Sequence, residues 1–420
     1  MKNKSEEEYK SPLTGLIDDS TYGRFDKRKS ALYYSQHLAE DKEQSKVRAN
    51  ARKSLAKKIK EKRPGYGLKD VALHGAAKSM FFEYGFDPQC EGANRPNVGM
   101  RSWTKLSETL LTPDKLGVPP YDGDAKEAAK LVKRVAKNFG AFRVGVTGLD
   151  KRHVYQYDCD GKEIVFESVE EPYETAHKRV IPEKCKYVVV MLLHMSHEAL
   201  ACAPAPIGSM VPMFTYKRVD ILTGGVAEFI RGLGYVAIPS ANDTAVNGPF
   251  AAEAGLGEQG RADKLISPDG GALVRICKVL TDLPMELDSP QKFGIPEFCK
   301  VCRICVEACP VNTINDADEP SFEVPGPWAN PGHKTWHGKN PLCWAYAEST
   351  GGGCGICLYV CPWNKPKGLL HKLVKGIIKR TPVFNRFFVW AHKFLGYGKP
   401  MDPEEWWDLD QPTYGIDTRL

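Results

Sequence analysis

No stretch of this 420-residue chain approaches eighteen consecutive apolar residues; the longest strong run, Tyr187 to Leu193, is only strand length. A spanning helix is excluded on that ground. The N-terminus lacks the basic, apolar and small-residue succession of a secretory leader, and Met1–Lys10 holds no twin arginine. As written, the chain carries no address, which leaves both the cytoplasm and a mature exported form open. No repeat period emerges. Residues 365–400 contain nine Lys or Arg and no acid at all. What the chain does have, 42% hydrophobic and 26% charged residues, is close to the globular average and excludes wholesale disorder.

The net charge of +6 is unevenly placed. Residues 1–70 hold 18 basic against 11 acidic side chains, a surplus of +7, and the remainder is nearly neutral. Two basic patches on a neutral body suit nucleic acid or an anionic membrane surface, although a solvated helical face is the simpler reading of the first.

Thirteen cysteines are the loudest compositional fact. Cys90, Cys159, Cys185, Cys202 and Cys277 are scattered and read as inert buried thiols. The other eight fall within 63 residues, which suits metal ligation rather than a secreted disulfide scaffold. Cys299, Cys302, Cys305 and Cys309 stand at C-x2-C-x2-C-x3-C followed by Pro310, the bacterial ferredoxin run, in which the fourth cysteine serves the other cluster. A second run is Cys354-x2-Cys357-x3-Cys361-Pro362, with Cys343 upstream. The same logic gives one [4Fe–4S] cluster Cys299, Cys302, Cys305 and Cys361, and the other Cys309, Cys343, Cys354 and Cys357. Zinc is the competing occupant, since C-x2-C also suits zinc, but two C-P endings and crossed spacing disfavour it. Two clusters at close range conduct single electrons.

Along the chain, a helix-like piece near Lys46–Lys62 ends at Pro64-Gly65, and residues 71–120 read as irregular packed loops. Ala125–Phe139 has amphipathic spacing, Phe142–Val146 reads as a strand, and Gly225–Leu233 looks helical. Tyr187–Leu193, Tyr235–Ile238 and Ala272–Leu280 are further strands, giving an α/β core. Four regions result: 1–115, basic and aromatic; 116–295, the α/β core with an insertion near 148–185; 296–368, the two-cluster domain; and 369–420, a basic helix and tail. Gly255-Leu256-Gly257-Glu258-Gln259-Gly260 matches G-x-G-x-x-G. Phe250-Ala-Ala-Glu-Ala stands where a dinucleotide-binding strand should be, so it reads as a glycine turn approached by a ligand.

Both cysteine runs, Ala254-Gly-Leu-Gly-Glu-Gln-Gly-Arg261 and Pro239-Ser-Ala-Asn-Asp243 together resemble the reductive dehalogenases, corrinoid and iron–sulfur enzymes that replace halogen by hydrogen. The resemblance covers about 120 to 370. It implies a nitroreductase-like α/β (α+β) corrinoid-binding core beside a ferredoxin-like two-cluster domain. It implies catalytic roles for Tyr216 in Met213-Phe-Thr-Tyr-Lys217, for Asn242, and for Arg275 in Leu273-Val-Arg-Ile-Cys277. Corrinoid contacts are carried over to Tyr216, Asn242 and Gly255, Leu256 and Gly257. The Asp-x-His-x-x-Gly pattern that gives cobalt a histidine is absent, which fits the family; His194 and His197 read as local hydrogen-bonding residues.

Reductive cleavage of a carbon–halogen bond needs two electrons and one proton. Cobalt supplies the reducing power, Tyr216 can deliver the proton, the guanidinium can stabilise the tyrosinate left behind, and Asn242 can orient the hydroxyl or the halide. Aromatics lining a closed pocket would select the substrate, with Phe81, Phe82, Trp103, Trp344 and Tyr346 as candidates beside a core-packing role. The compact length resembles the branch acting on chlorinated methanes and ethanes, with chloroethenes open. The implied partners are a small chlorinated hydrocarbon, a membrane anchor protein, an electron donor and a second copy of the chain, with no nucleic acid. The implied place is the outer face of the cytoplasmic membrane, as terminal reductase of organohalide respiration, with peripheral contact through 365–400. Two rivals remain at this stage: an epoxyqueuosine-type reductase acting on tRNA, which would use an aspartate acid where Asn242-Asp243 stands, and a bare two-cluster electron carrier.

Overall fold

The computed structural model describes residues 8–34, 57–67, 69–73, 97, 99–104, 109–350, 353–365 and 368–413. Most of the helix-like piece at Lys46–Lys62 and all of Phe81, Phe82, Tyr84 and Cys90 lie outside the described residues.

From Ala125 the chain forms helix α1 (Ala125–Asn138) and strand β1 (Arg143–Gly148), then a small sheet of β2 (Glu163–Glu167), β3 (Tyr173–Glu174) and β4 (Lys178–Pro182). Strand β5 (Tyr187–His194), helix α2 (Pro206–Gly232), strand β6 (Ala237–Ser240) and helix α3 (Asn247–Glu253) follow. The hairpin β7 (Glu258–Gly260)–β8 (Lys264–Ile266) and strand β9 (Val274–Thr281) complete the core. The main sheet has the order β1-β5-β9-β6, and every neighbouring pair is antiparallel. The core is therefore α+β in the strict sense, helices packed on an antiparallel sheet, rather than a stack of parallel βαβ units.

Each strand of that sheet is buried on both sides, so apolar residues run almost continuously along it. Arg275, Cys277 and Val279 of β9 share one face, with Val189, Met191 and Leu193 of β5 beside them. Cys277, Val279 and those three β5 residues pack under α1 and α2 with Val132, Val219 and Val226. The opposite face of the sheet, with Val188, Val190 and Leu192, packs with Phe250 and Ala251 of α3. Helix α1 starts as its sequence dictates: the Asp124 side chain accepts from the Glu127 amide, and Ala128, Val132 and Ala136 turn inward.

Helix α2 is the largest departure from the sequence expectation. Only its last turns, around Gly225–Leu233, carried a helical pattern; the helix begins nineteen residues earlier at Pro206 and contains Pro212. It is buried nearly all round, so no amphipathic period marks it. Its mid-helix threonines are satisfied locally, Thr215 Oγ1 donating to Val211 O at 2.7 Å and Thr223 Oγ1 to Val219 O at 2.8 Å. Gly225 is where α1's end comes close: a Cβ there would stand 2.8 Å from the Phe139 ring.

Beyond β9 come short helices α4 (Ile295–Val301), α5 (Ile304–Glu307), α6 (Asn340–Ser349) and α7 (Ile356–Tyr359), which carry the cysteine runs. They pack on the N-terminal part of α2 through Ile207, Val211, Phe298 and Trp363. Helices α8 (Leu369–Arg380) and α9 (Asn385–Phe394) lie outermost. Among the described residues, no helix is long and apolar enough to cross a membrane.

Candidate active site and cluster sites

Tyr216 lies mid-way along α2, Arg275 near the start of β9, and Asn242 just past the end of the edge strand β6. Packing of α2 over the sheet brings the three together. The Asn242 Nδ2 donates to the Tyr216 hydroxyl oxygen, and the Arg275 guanidinium lies over the Tyr216 ring, 4.9 Å from its centroid. All three side chains are only half-buried, so they sit at an internal surface and not within the core. The Arg275 Nε is shielded from solvent and has no hydrogen-bond partner among the described residues. A donor left over beside a phenol and an amide is the arrangement expected where another molecule completes the site.

The surroundings of this trio are strongly charged. Arg101 is buried between two carboxylates, donating from Nε to Asp220 Oδ1 at 2.9 Å and pairing also with Asp243. Burial pushes the Asp220 carboxyl up to about 6, against the pull of Arg101 and Lys217. Asp243 also accepts from the Ala241 amide at 3.1 Å and the Thr244 hydroxyl at 2.7 Å, which fixes the turn that presents Asn242. From the far face of β9, Lys278 donates to Ala241 O at 3.1 Å, Asp243 O at 3.3 Å and Asn247 Oδ1 at 2.7 Å. Burial pushes this ammonium down to about 7, with Asp243 opposing the shift. A lysine inside the apolar run Ala272–Leu280 was the one visible signal that something polar had to meet it.

The eight clustered cysteines lie near one another. Cys361 is within electrostatic reach of Cys299, Cys302 and Cys305. Cys354 is within reach of Cys343 and Cys309, and Cys357 of Cys343, Cys354 and Cys305. Cys299, Cys302, Cys305, Cys357 and Cys361 line one cavity, closed by Phe298 and Trp363. Among the described residues no three Cys, His, Asp or Glu side chains converge tightly enough to hold a single ion. Thiols spread around a space are what a cubane needs and a zinc ion does not. Every described cysteine is a free thiol. Burial pushes Cys299 and Cys302 up to about 12 each, so ionisation of these thiols has to come from the metal they bind.

Arg261, the last residue of the glycine-containing motif, ties this region to the core. Its buried guanidinium donates to Cys299 O at 2.9 Å, Lys300 O at 3.2 Å, Asn315 O at 3.1 Å and Ala317 O at 2.6 Å. It also stacks over Trp336, 4.9 Å from the ring. The motif was visible in the sequence, but this duty of its arginine was not.

At Gly255, Leu256 and Gly257, where corrinoid contacts are expected, the protein's own backbone comes close. Gly255 has a positive φ of 67°, and a Cβ there would come within 2.6 Å of Ser289 O; at Gly257 it would come within 2.3 Å of Ile266 O. Leu256 is buried in the core. The close approach these glycines permit is by the protein's own backbone, and the segment leads into the hairpin of β7 and β8. Among the pocket candidates, Trp103 is core, Trp344 is exposed, and Tyr346 lies near Cys354, its phenol pushed by burial up to about 12. Cys185, Cys202 and Cys277 are buried thiols, as expected. His194 stacks on Phe142 at 3.7 Å between ring centroids.

A half-buried phenol, amide and guanidinium in a chain with eight clustered cysteines suit an electron-conducting oxidoreductase. Comparison with known proteins gives that class its family. A reductive dehalogenase subunit model matches residues 30–166 and 156–285, and a 4Fe-4S double cluster binding domain matches 298–364. The tetrachloroethene reductive dehalogenase of Sulfurospirillum multivorans is 32% identical over 379 residues, covering 86% of this chain and 74% of that protein. A tetrachloroethene reductive dehalogenase of Desulfitobacterium hafniense is 30% identical over 367 residues, 80% of this chain and 66% of that one. Among solved structures, a catabolic reductive dehalogenase shares the fold with a TM-score of 0.63 at 24% identity, over 95% of this chain and 50% of its own. The chain belongs to the reductive dehalogenase family, whose cofactors are a corrinoid and two [4Fe–4S] clusters.

Proposed function

We propose that this chain replaces chlorine by hydrogen on small chlorinated hydrocarbons, with Tyr216 as the proton source. The observation that carries the reading is the convergence of Tyr216, Asn242 and Arg275 with one guanidinium donor left over. The overall change is R–Cl + 2e⁻ + H⁺ → R–H + Cl⁻. When bound, the corrinoid supplies the two-electron reducing power and the clusters supply its electrons. Tyr216, Asn242 and the segment Gly255–Gly257 are the residues that would contact it. Tyr216 gives up the phenolic proton, Arg275 stabilises the tyrosinate across its ring face, and Asn242 holds the oxygen in place. Asp243, the aspartate a tRNA-reducing rival would need as an acid, is 1% exposed and turned toward Arg101, which argues against that rival.

The test is chloride release from protein loaded anaerobically with corrinoid and both clusters, reduced by viologen. Chlorinated methanes and ethanes are compared with chloroethenes, the substrates named for the relatives. Steady chloride from members of this panel is expected. Silence of fully loaded protein across all of them would remove the reading.

We also propose that the chain works as a terminal reductase resting on an anionic bilayer surface through α8 and α9. Leu369 is 88% exposed, Val383 76% and Phe394 73%, with Trp390 stacked on Phe394 at 5.1 Å. Around them stand lysines and arginines of a stretch without acids, a match to anionic headgroups above apolar chains. Loaded protein should float with vesicles containing phosphatidylglycerol and stay behind with neutral ones in high salt. Trp390→Glu combined with Phe394→Glu should abolish flotation with chloride release intact; flotation unchanged by the pair would refute the surface.

A further inference from the structure

Asn242 can serve Tyr216 in two ways, and they have opposite chemical consequences. With its amide nitrogen toward the phenol, it donates to the phenolic oxygen and leaves that oxygen's proton directed elsewhere. With its carbonyl toward the phenol, it accepts that proton and holds it. Amide nitrogen and oxygen differ only by the partners around them, so the orientation has to be argued from those partners.

The partners decide it, beginning at Asn247 in α3. One end of this amide faces Ala241 O at 3.0 Å and Ile276 O at 3.2 Å. Both are backbone carbonyls, which only accept, so that end is the nitrogen. The other end, which is therefore the oxygen, faces Lys278 Nζ at 2.7 Å. The Asn247 nitrogen also faces one end of the Asn242 amide at 3.1 Å, which must therefore be oxygen. What remains for Tyr216 is the Asn242 nitrogen. Lys278 is itself held by Ala241 O and Asp243 O, so its three N–H groups meet three acceptors. Asp243, Arg101 and Lys27 are the other charged groups around it. The two N–H groups of Asn247 are shared among three acceptors, Ala241 O, Asn242 Oδ1 and Ile276 O.

We propose that Asn247 and Lys278 are positioning residues that fix the polarity of Asn242, so that Tyr216 accepts from the amide and its proton is not taken up by Asn242. The inference rests on the reading of Tyr216 as the proton source and adds what keeps Asn242 from holding that proton. In the step it serves, the Tyr216 O–H and the substrate C–Cl bonds break and a C–H bond forms. Chloride leaves with one electron pair, and the two electrons come from the reduced cofactors. The line crosses from one face of the sheet to the other around the end of the edge strand β6. This explains why a lysine is buried on the face of β9 opposite Arg275.

The test reverses the polarity without removing the bulk. In Asn247→Asp the carboxylate still accepts from Lys278 but offers only oxygen to Asn242, whose amide turns its carbonyl to Tyr216. The variant, loaded with cobalt and iron as wild type, should lose about 10²-fold in kcat with KM little changed. Asn247→Leu removes the polarity instead of reversing it and should fall between the two. If Asn247→Asp fails to take up cofactors, the leucine variant decides alone. The Raman tyrosine doublet, taken as a difference against Tyr216→Phe, should change from an accepting to a donating phenol in Asn247→Asp. The double variant Tyr216→Phe/Asn247→Asp should be no slower than Tyr216→Phe, because both changes remove the same proton. Normal kcat in loaded Asn247→Asp, an unmoved doublet, or multiplying losses in the double variant would each overturn the relay. Normal turnover in Tyr216→Phe alone would overturn the proton-source reading as well, and so separates the two failures.

Discussion

Tyr216→Phe should retain its iron and cobalt and release chloride about 10²–10⁴-fold more slowly, the range that a positioned general acid contributes. The substitution is close to minimal. Phenylalanine keeps the ring under Arg275 and removes only the hydroxyl that Asn242 contacts. The amide nitrogen so released is on a half-buried residue, where water can replace the lost partner, so the change in stability should be about 1 kcal/mol. A deficit in turnover far beyond that in folding or metal content then belongs to the proton. The measurement is anaerobic chloride release per cobalt, with iron counted on the same sample. Turnover within tenfold of wild type would take the proton from another source and leave Tyr216 a packing residue.

That prediction was reachable from the sequence only in part. The identity of Tyr216, Asn242 and Arg275 came through resemblance, because nothing in their local surroundings marks them. Tyr216 sits in a helix whose first half reads as no element: Pro206, Gly208 and Pro212 suppress helical propensity, and burial on all sides erases the period of 3.6. The sheet was easier. Tyr187–Leu193 and Ala272–Leu280 are apolar runs of strand length and form β5 and β9 within one or two residues. Pairing direction was not legible, and the antiparallel order β1-β5-β9-β6 is what places Arg275 and Lys278 on opposite faces. Gly255 and Gly257 show the limit from the other side. A glycine announces a close approach but not what approaches, and here it is the protein's own carbonyls. The cysteine spacing was legible as a double-cluster pattern, because ligand geometry around a cluster is set by the metal more than by the fold.

That legibility makes the cysteines the place for the other large effect. Cys361→Ala should abolish one cluster and leave the second, so that iron falls to about half and viologen-driven chloride release drops by three or more orders of magnitude. Cys361 lies farther along the chain than every member of the second set, so a purely sequential division would assign it there. The structure instead sets its sulfur near Cys299, Cys302 and Cys305, on the wall of the cavity they share. Cys309 reverses the case. It follows Cys305 in the first run, yet Thr313 holds its sulfur through amide and hydroxyl contacts of 3.4 Å each, and Cys343 and Cys354 are its neighbours. Low-temperature electron paramagnetic resonance of the reduced variants separates the two divisions. With crossed ligation, Cys361→Ala and Cys299→Ala lose the same signal, while Cys309→Ala and Cys354→Ala lose the other. With sequential ligation, Cys309→Ala would pair with Cys299→Ala, and Cys361→Ala with Cys354→Ala. Crossed ligation ties each run to both cubanes, so neither half of the domain can close its cluster before the other is in place. Loss of one ligand should therefore also slow assembly of the surviving cluster, read as a lag in its signal during reconstitution with iron and sulfide.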